Sequence, residues 1–162
     1  MSGSRPESPA RIRELIALYR ATHYDVILAS GRIATLRIGA TAVAGLRDWI
    51  GNDRTAAFLT ACNPRSSTLS PAENERMQCA LRSRLRTLPC RLLEGVGHMP
   101  GADQREPSLL VTGIDLAGID VLAREFEQNA VVAIRAGGCA VLRIYRDDWR
   151  DALAGEPDIA LA

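Results

Sequence analysis

Arg65, Glu106, Ser66 and three amides, Asn63, Gln128 and Asn129, are the side chains of this chain with the chemistry to hold a small anion and to exchange protons with it. A guanidinium grips phosphate or carboxylate through two parallel hydrogen bonds. A carboxylic acid gives up or takes a proton, and side-chain amides, with one donor and one acceptor end, fix a ligand's orientation. His98 is a second acid/base candidate, since imidazole titrates near neutral pH. Each residue also has an ordinary use. Asn63 before Pro64 can bond its own turn, Glu106 can pair with Arg65 or Arg105, and Gln128 and Asn129 can tie loops together.

Other combinations point elsewhere. Cys62 with His98 would make a thiol–imidazole dyad if the surroundings favoured a thiolate. Cys62, Cys79, Cys90 and Cys139 form no CxxC pair, and His23 and His98 have no zinc spacing. The expectation is therefore reduced thiols, no metal and no cofactor. Arg76, Arg82, Arg84, Arg86 and Arg91 concentrate positive charge that would suit RNA contact. No aromatics interleave with them, and a net charge of +1 supplies no field to draw nucleic acid or an anionic membrane. All 20 basic residues are arginine, which reflects composition more than phosphate recognition.

The elements that must carry these residues follow from periodicity and punctuation. Ser8-Pro9 caps a helix over 9–22, with Ile12, Leu15, Ile16 and Tyr19 on one face. Strands are expected at 24–29 and 33–38 around Ser30-Gly31, and Thr41 caps a short helix ended by Gly51. The apolar run 56–62 reads as a strand buried on both faces. Ser70-Pro71-Ala72-Glu73 is a capping box opening a helix over 71–88, with Met77, Leu81, Leu85 and Leu88 inward. A strand at 91–96 leads into an eleven-residue connection, 97–107, then a strand at 108–113. Asp115 caps a fourth helix, and strands at 130–134 and 139–145 follow.

The fold class is α/β (α+β): a mixed sheet of about five to seven strands flanked by about four helices. One domain over 9–146 is expected, with a flexible N-terminus at 1–8 and a polar tail at 147–162 that carries Trp149. No run suggests export or a membrane span, so the expected setting is the cytosol. Two strand–helix–strand units should each return parallel, and an antiparallel link between them opposes their directions. The C-terminal ends of the 56–62 and 91–96 strands then share an edge with the N-terminal ends of the 108–113 and 130–134 strands. Asn63, Arg65, Ser66, His98, Asp103, Glu106, Gln128 and Asn129 all fall there, beside the amide-rich start of the third helix, a ready anion site.

Several stretches carry a family resemblance: Leu36-Arg37-Ile38-Gly39, Phe58 to Ser66, Leu69 to Asn74, Glu106 to Val111, and Phe126 to Val132. Their order and spacing resemble a bacterial family known only as domain of unknown function 3293, over about residues 19 to 135. The resemblance implies no activity. Cys62 departs from the family pattern, which has larger, often aromatic, side chains there.

Three functions remain open on the sequence. The first is a module, enzymatic or not, that holds an anionic small molecule such as a nucleotide at the polar edge, with Glu106 as acid/base and Arg65 as clamp. The second is a protein-interaction or regulatory module in which the same residues brace loops. The third is RNA contact through the arginine-rich helix.

Overall fold

A short proline-capped helix leads the chain into the sheet: Ser8 Oγ accepts from Arg11 N, and α1 runs Pro9–Ala21. The computed structural model describes residues 6–51 and 54–162. Residues 1–5 of the expected flexible N-terminus lie outside the described residues. The remaining elements are β1 (His23–Ile27), β2 (Ile33–Leu36), α2 (Ala44–Ile50), β3 (Thr55–Leu59), α3 (Pro71–Leu85), β4 (Arg91–His98), β5 (Arg105–Thr112), α4 (Leu116–Glu125), β6 (Ala130–Arg135), β7 (Val141–Ile144), α5 (Arg150–Leu153) and β8 (Ile159–Leu161). The chain is thus α/β with five helices and eight strands, one strand above the expected range.

The sheet runs β2-β1-β4-β5-β3-β6-β7-β8. Neighbours are antiparallel apart from the parallel pair β7–β8. Because β5 lies between β3 and β4 and opposes both, β3 and β4 point the same way, and β5 and β6 point the other way, as the crossover argument requires. Bridges Ile38–Ala140 and Thr41–Cys139 join the segment after β2 to the segment before β7, so the sheet curls back on itself.

Side chains alternate across the strands, which divides the apolar residues into two cores. Inside the curl, Tyr24, Val26, Leu36, Phe58, Leu110, Val132 and Leu142 pack with Ile12, Leu15 and Ile16 of α1, Leu46 and Ile50 of α2, and Trp149. Outside it, Ala57, Leu59, Leu109, Val111 and Val131 pack under Leu81 and Leu85 of α3 and Ile119, Leu122 and Phe126. No helix among the described residues is long and apolar enough to cross a membrane.

Four local expectations need correction. Thr41 does not cap α2; it is spent in the bridge to Cys139, and the N-cap is Val43 without a side-chain bond. The helix expected to 88 ends at Leu85, although Leu88 still packs on the outer core. The connection 97–107 is strand at both ends and shortens to residues 99–104: β4 runs on to His98 and β5 starts at Arg105, in an unbroken hairpin register from Arg91↔Thr112 to His98↔Arg105. Gly, Pro and charged residues hid that hairpin from a propensity reading. The segment after Asp147 is ordered by a fully buried Trp149 and by β8, which pairs with β7.

Candidate functional site

The predicted polar edge exists, and a cavity of about 1060 Å³ opens along it. Asn63, Ser66, His98, Glu106, Gln128 and Asn129 all line this cavity. They arrive by four routes: the turn after β3, the end of β4, the start of β5 and the approach to β6.

The turn after β3 is backbone-strained: Asn63, Arg65 and Ser66 have φ of 47°, 51° and 59°, in the left-handed region that side chains with a Cβ enter at a cost. Neighbours over-determine that shape. Asn63 N–H donates to Asn74 Oδ1 (2.8 Å), Asn63 Oδ1 accepts from Leu69 N (3.0 Å) and Asn74 Nδ2 (2.9 Å), and Arg65 N–H donates to the Glu127 carbonyl (2.8 Å). One donor of Asn63 is left for the cavity, where Nδ2 donates to Glu106 Oε2 at 3.1 Å.

Glu106 is the central group. It lies on the inner face of β5, opposite Gly97 of β4, where no side chain intervenes. Among the described residues it has no salt bridge, and its second oxygen, Oε1, accepts no hydrogen bond. Removal from water raises its pKa above the ordinary glutamate value, and the Asn63 bond only partly offsets this. Its charge is felt by the phenols of Tyr19 and Tyr24 and by the Cys62 thiol. Tyr19 is pushed up to about 12, first by burial and then by Glu106, against hydrogen bonding with Asn129 and Ser66. It therefore stays a neutral phenol that can donate.

The amides are already partly employed. Asn129 Nδ2 donates to Ser66 Oγ (2.8 Å) and its Oδ1 accepts from Arg146 Nη1 (3.3 Å). Gln128 Nε2 donates to the carbonyls of Cys62 and Phe126, both at 3.2 Å, which ties the two loops together.

Arg65 is the residue that does not arrive. Its left-handed backbone turns the side chain away from the cavity, 60% exposed, into a salt bridge with Glu127 Oε1 at 3.2 Å. The start of α3 is likewise occupied. Ser70 N–H and Oγ donate to Glu73 Oε2 (2.8 and 2.6 Å), and Ser70 Oγ accepts from Glu73 N, so a carboxylate already sits on the helix dipole. The remaining cations near the cavity are Arg146, paired with Asp148, Arg82, paired with Glu94, and Arg105, exposed at the rim. The expected anion clamp is therefore absent from the polar end of the cavity.

His98, at the end of β4, borders the cavity with its ring held by Asp25. Its Nε2 lies 2.8 Å from Asp25 Oδ2, and Asp25 Oδ1 accepts from Thr35 Oγ1 at 2.6 Å. Burial raises the Asp25 pKa, but the bonds from Thr35 and His98 outweigh it and hold the carboxylate low. Cys62 is buried, and desolvation raises its thiol pKa, with Glu106 adding to the shift, so the surroundings oppose a thiolate nucleophile. Of the arginines concentrated around α3, Arg82 pairs with Glu94, Arg84 pairs with Glu125, and Arg91, the first residue of β4, lies over the Trp49 ring. Among the described residues no group of three His, Cys, Asp or Glu side chains could hold a metal.

Four contributors were missed by the sequence reading. Tyr19 was read as an apolar position of the first helix, and its hydroxyl was the overlooked signal. Asn74 follows the capping box by one residue, Asp25 sits mid-strand, and Gln78 is buried to 5% exposure in α3, where its Oε1 accepts from Ala61 N at 3.0 Å.

Residues 59–131 match the model of the family described as "Protein of unknown function (DUF3293)". The resemblance read from the sequence stands over that span, which is shorter than the 19 to 135 first assigned to it. The matched span includes Asn63, Ser66, Asn74, Glu106, Gln128 and Asn129. Neither a curated protein nor a solved structure matches the chain.

Proposed function

We propose that residues of this family-matched span, with Tyr19 of α1, build a small-molecule site in which Glu106 is the proton-exchanging group and Asn63, Ser66, Asn129 and Tyr19 orient the ligand. The observation that carries this reading is the carboxyl itself: it is half-buried, lacks a counter-ion among the described residues, and keeps one oxygen open to a cavity of about 1060 Å³. Natural ligand pockets have this size and this mixture of apolar walls with a few convergent polar groups. A carboxyl with a raised pKa is suited to both halves of acid/base work near neutral pH, so the reading covers an enzyme as well as a binding module. A bacterial cytosolic setting belongs to the same proposal and rests on the family resemblance and on four free cysteines.

Gly97 provides the test. A Cβ built there meets only Thr22 Cγ2, at 3.9 Å, so the backbone accepts a side chain and Gly97→Leu extends one into the space beside Glu106. A ligand-observed NMR screen of small organic molecules should yield binders to the wild type that the Gly97→Leu protein no longer holds. Hits that bind both proteins equally, or a screen without hits, would remove the cavity as the site.

The outer face of the β1–β2 hairpin favours a second reading as a protein-contact module. Ile27 and Ile33 are cross-strand neighbours there, 47% and 66% exposed.

A further inference from the structure

We infer that the molecule this cavity takes carries a basic nitrogen directed at Glu106, on an apolar body. The inference rests on the small-molecule reading above and deepens it by naming the class of ligand. A carboxylate taken out of water requires a cation or several donors to replace its hydration. Asn63 Nδ2 supplies one donor to Oε2, and the described residues supply no cation.

The protein could have provided one. Twenty arginines are present, yet Arg65 turns out to Glu127, Arg82 is held by Glu94, Arg146 is held by Asp148, and Arg105, exposed at the rim, sits on the opposite face of β5 from Glu106 and forms no salt bridge with it. The neutral groups around the carboxyl do not fill the gap. The Tyr24 hydroxyl donates to the Tyr19 carbonyl at 2.8 Å, the Ser108 hydroxyl donates to the Glu106 backbone carbonyl at 3.1 Å, and the Tyr19 hydroxyl is engaged with Asn129 and Ser66. Opposite Glu106, Gly97 leaves free space instead of a side chain.

An ammonium group entering that space would give Oε1 its missing partner and would restore the ionised carboxylate. The walls define the rest of the ligand. Leu15, Phe58, Val132 and Leu142 line the inner part of the cavity, which suits a ring or short aliphatic chain. An anionic ligand would place like charge against Glu106.

Three isosteric probes separate the alternatives: benzylamine, benzyl alcohol and benzoate, each titrated into the full chain at neutral pH by calorimetry or NMR shift. Benzylamine should bind at least about tenfold more tightly than benzyl alcohol, the advantage typical of a charge-assisted over a neutral hydrogen bond. Benzoate should bind most weakly. Glu106→Gln keeps the shape and an acceptor for Asn63, and should bring benzylamine down to the level of the alcohol. Equal binding of amine and alcohol, both lost in Gly97→Leu, would overturn the basic-nitrogen inference and leave the cavity reading standing. Tighter binding of benzoate, or an amine preference that survives Glu106→Gln, would also overturn the inference. Failure of all three probes to bind up to millimolar concentration would count against both.

Discussion

Gly95→Ala should destabilise the protein although alanine is the better residue for a strand. Gly95 sits in β4 between Val26 of β1 and Ser108 of β5, on the inner face of the sheet. An added Cβ would lie 2.5 Å from Phe58 Cε2, 3.1 Å from Phe58 Cζ and 2.9 Å from the Asp25 carbonyl oxygen. The ring would have to retreat by about an ångström to reach ordinary contact. It is hemmed in by Tyr24, edge-on at 5.3 Å between ring centroids, and the carbonyl belongs to the neighbouring strand's backbone and cannot move aside. Overpacking of a filled core costs about 1–3 kcal/mol, and contact with both a trapped ring and backbone places this site at the upper end. Against that, losing the glycine's unfolded-state freedom returns about 0.5–1 kcal/mol. The net loss is about 2 kcal/mol, which for a chain of this length lowers Tm by about 4–8 °C. Calorimetry or urea denaturation of the two proteins measures it. A Tm equal to or above wild type would refute the packing argument, since strand propensity alone predicts a gain. Phe58→Leu in the same background should recover most of the loss, with a coupling of about 1 kcal/mol in the double-mutant cycle.

Two further outcomes follow from the fold and from the site. Leu81→Ala removes a side chain with no exposed surface from the outer core and should cost about 2–5 kcal/mol, read as a lowered urea midpoint at unchanged slope. An unchanged midpoint would remove α3 from the core. Glu106→Gln should alter the pH dependence of stability. The folded-state pKa of Glu106 is raised, so the folded chain holds this proton more tightly than the unfolded chain. Its contribution is fully present below the unfolded pKa and is lost as pH rises through the folded one. Denaturation midpoints measured between about pH 4 and 8 should show the variant gaining on wild type with rising pH, starting near the ordinary glutamate range. A constant difference across that window would contradict the burial of the carboxyl.

Strand direction and the convergence of most of the site were legible because they follow from connectivity. Two strand–helix–strand crossovers that return parallel and one antiparallel link place Asn63, Ser66, Glu106, Gln128 and Asn129 on one edge whatever the side chains do. The position of Arg65 was not legible. It depends on a left-handed turn at a residue without glycine's freedom, which local propensity would not select and which contacts to Asn74 and Glu127 enforce. The extent of the β4–β5 hairpin was also missed, because the two pairs at its turn end, Gly97-His98 against Arg105-Glu106, contain no residues that favour strands. Trp149 was visible as an isolated apolar residue. Its burial comes from packing with α1 and β7, elements far away in the sequence.

The strand order also governs how the chain can fold. The hairpins β1–β2, β4–β5 and β6–β7 each close between consecutive strands, so they can form early and locally. β3, the strand buried along four of its five residues, has no such neighbour: Ala57 pairs with Val111 on one side and Ala133 on the other. It must wait for both later segments and then insert between them. Pairings so distant in sequence close slowly, because the loop entropy must be met before any contact rewards it. Until then the apolar run Ala56-Ala57-Phe58-Leu59 is an exposed, uncharged edge of the kind that draws other chains. Refolding yield of this protein should therefore be limited by the capture of β3, whose C-terminal end borders the cavity.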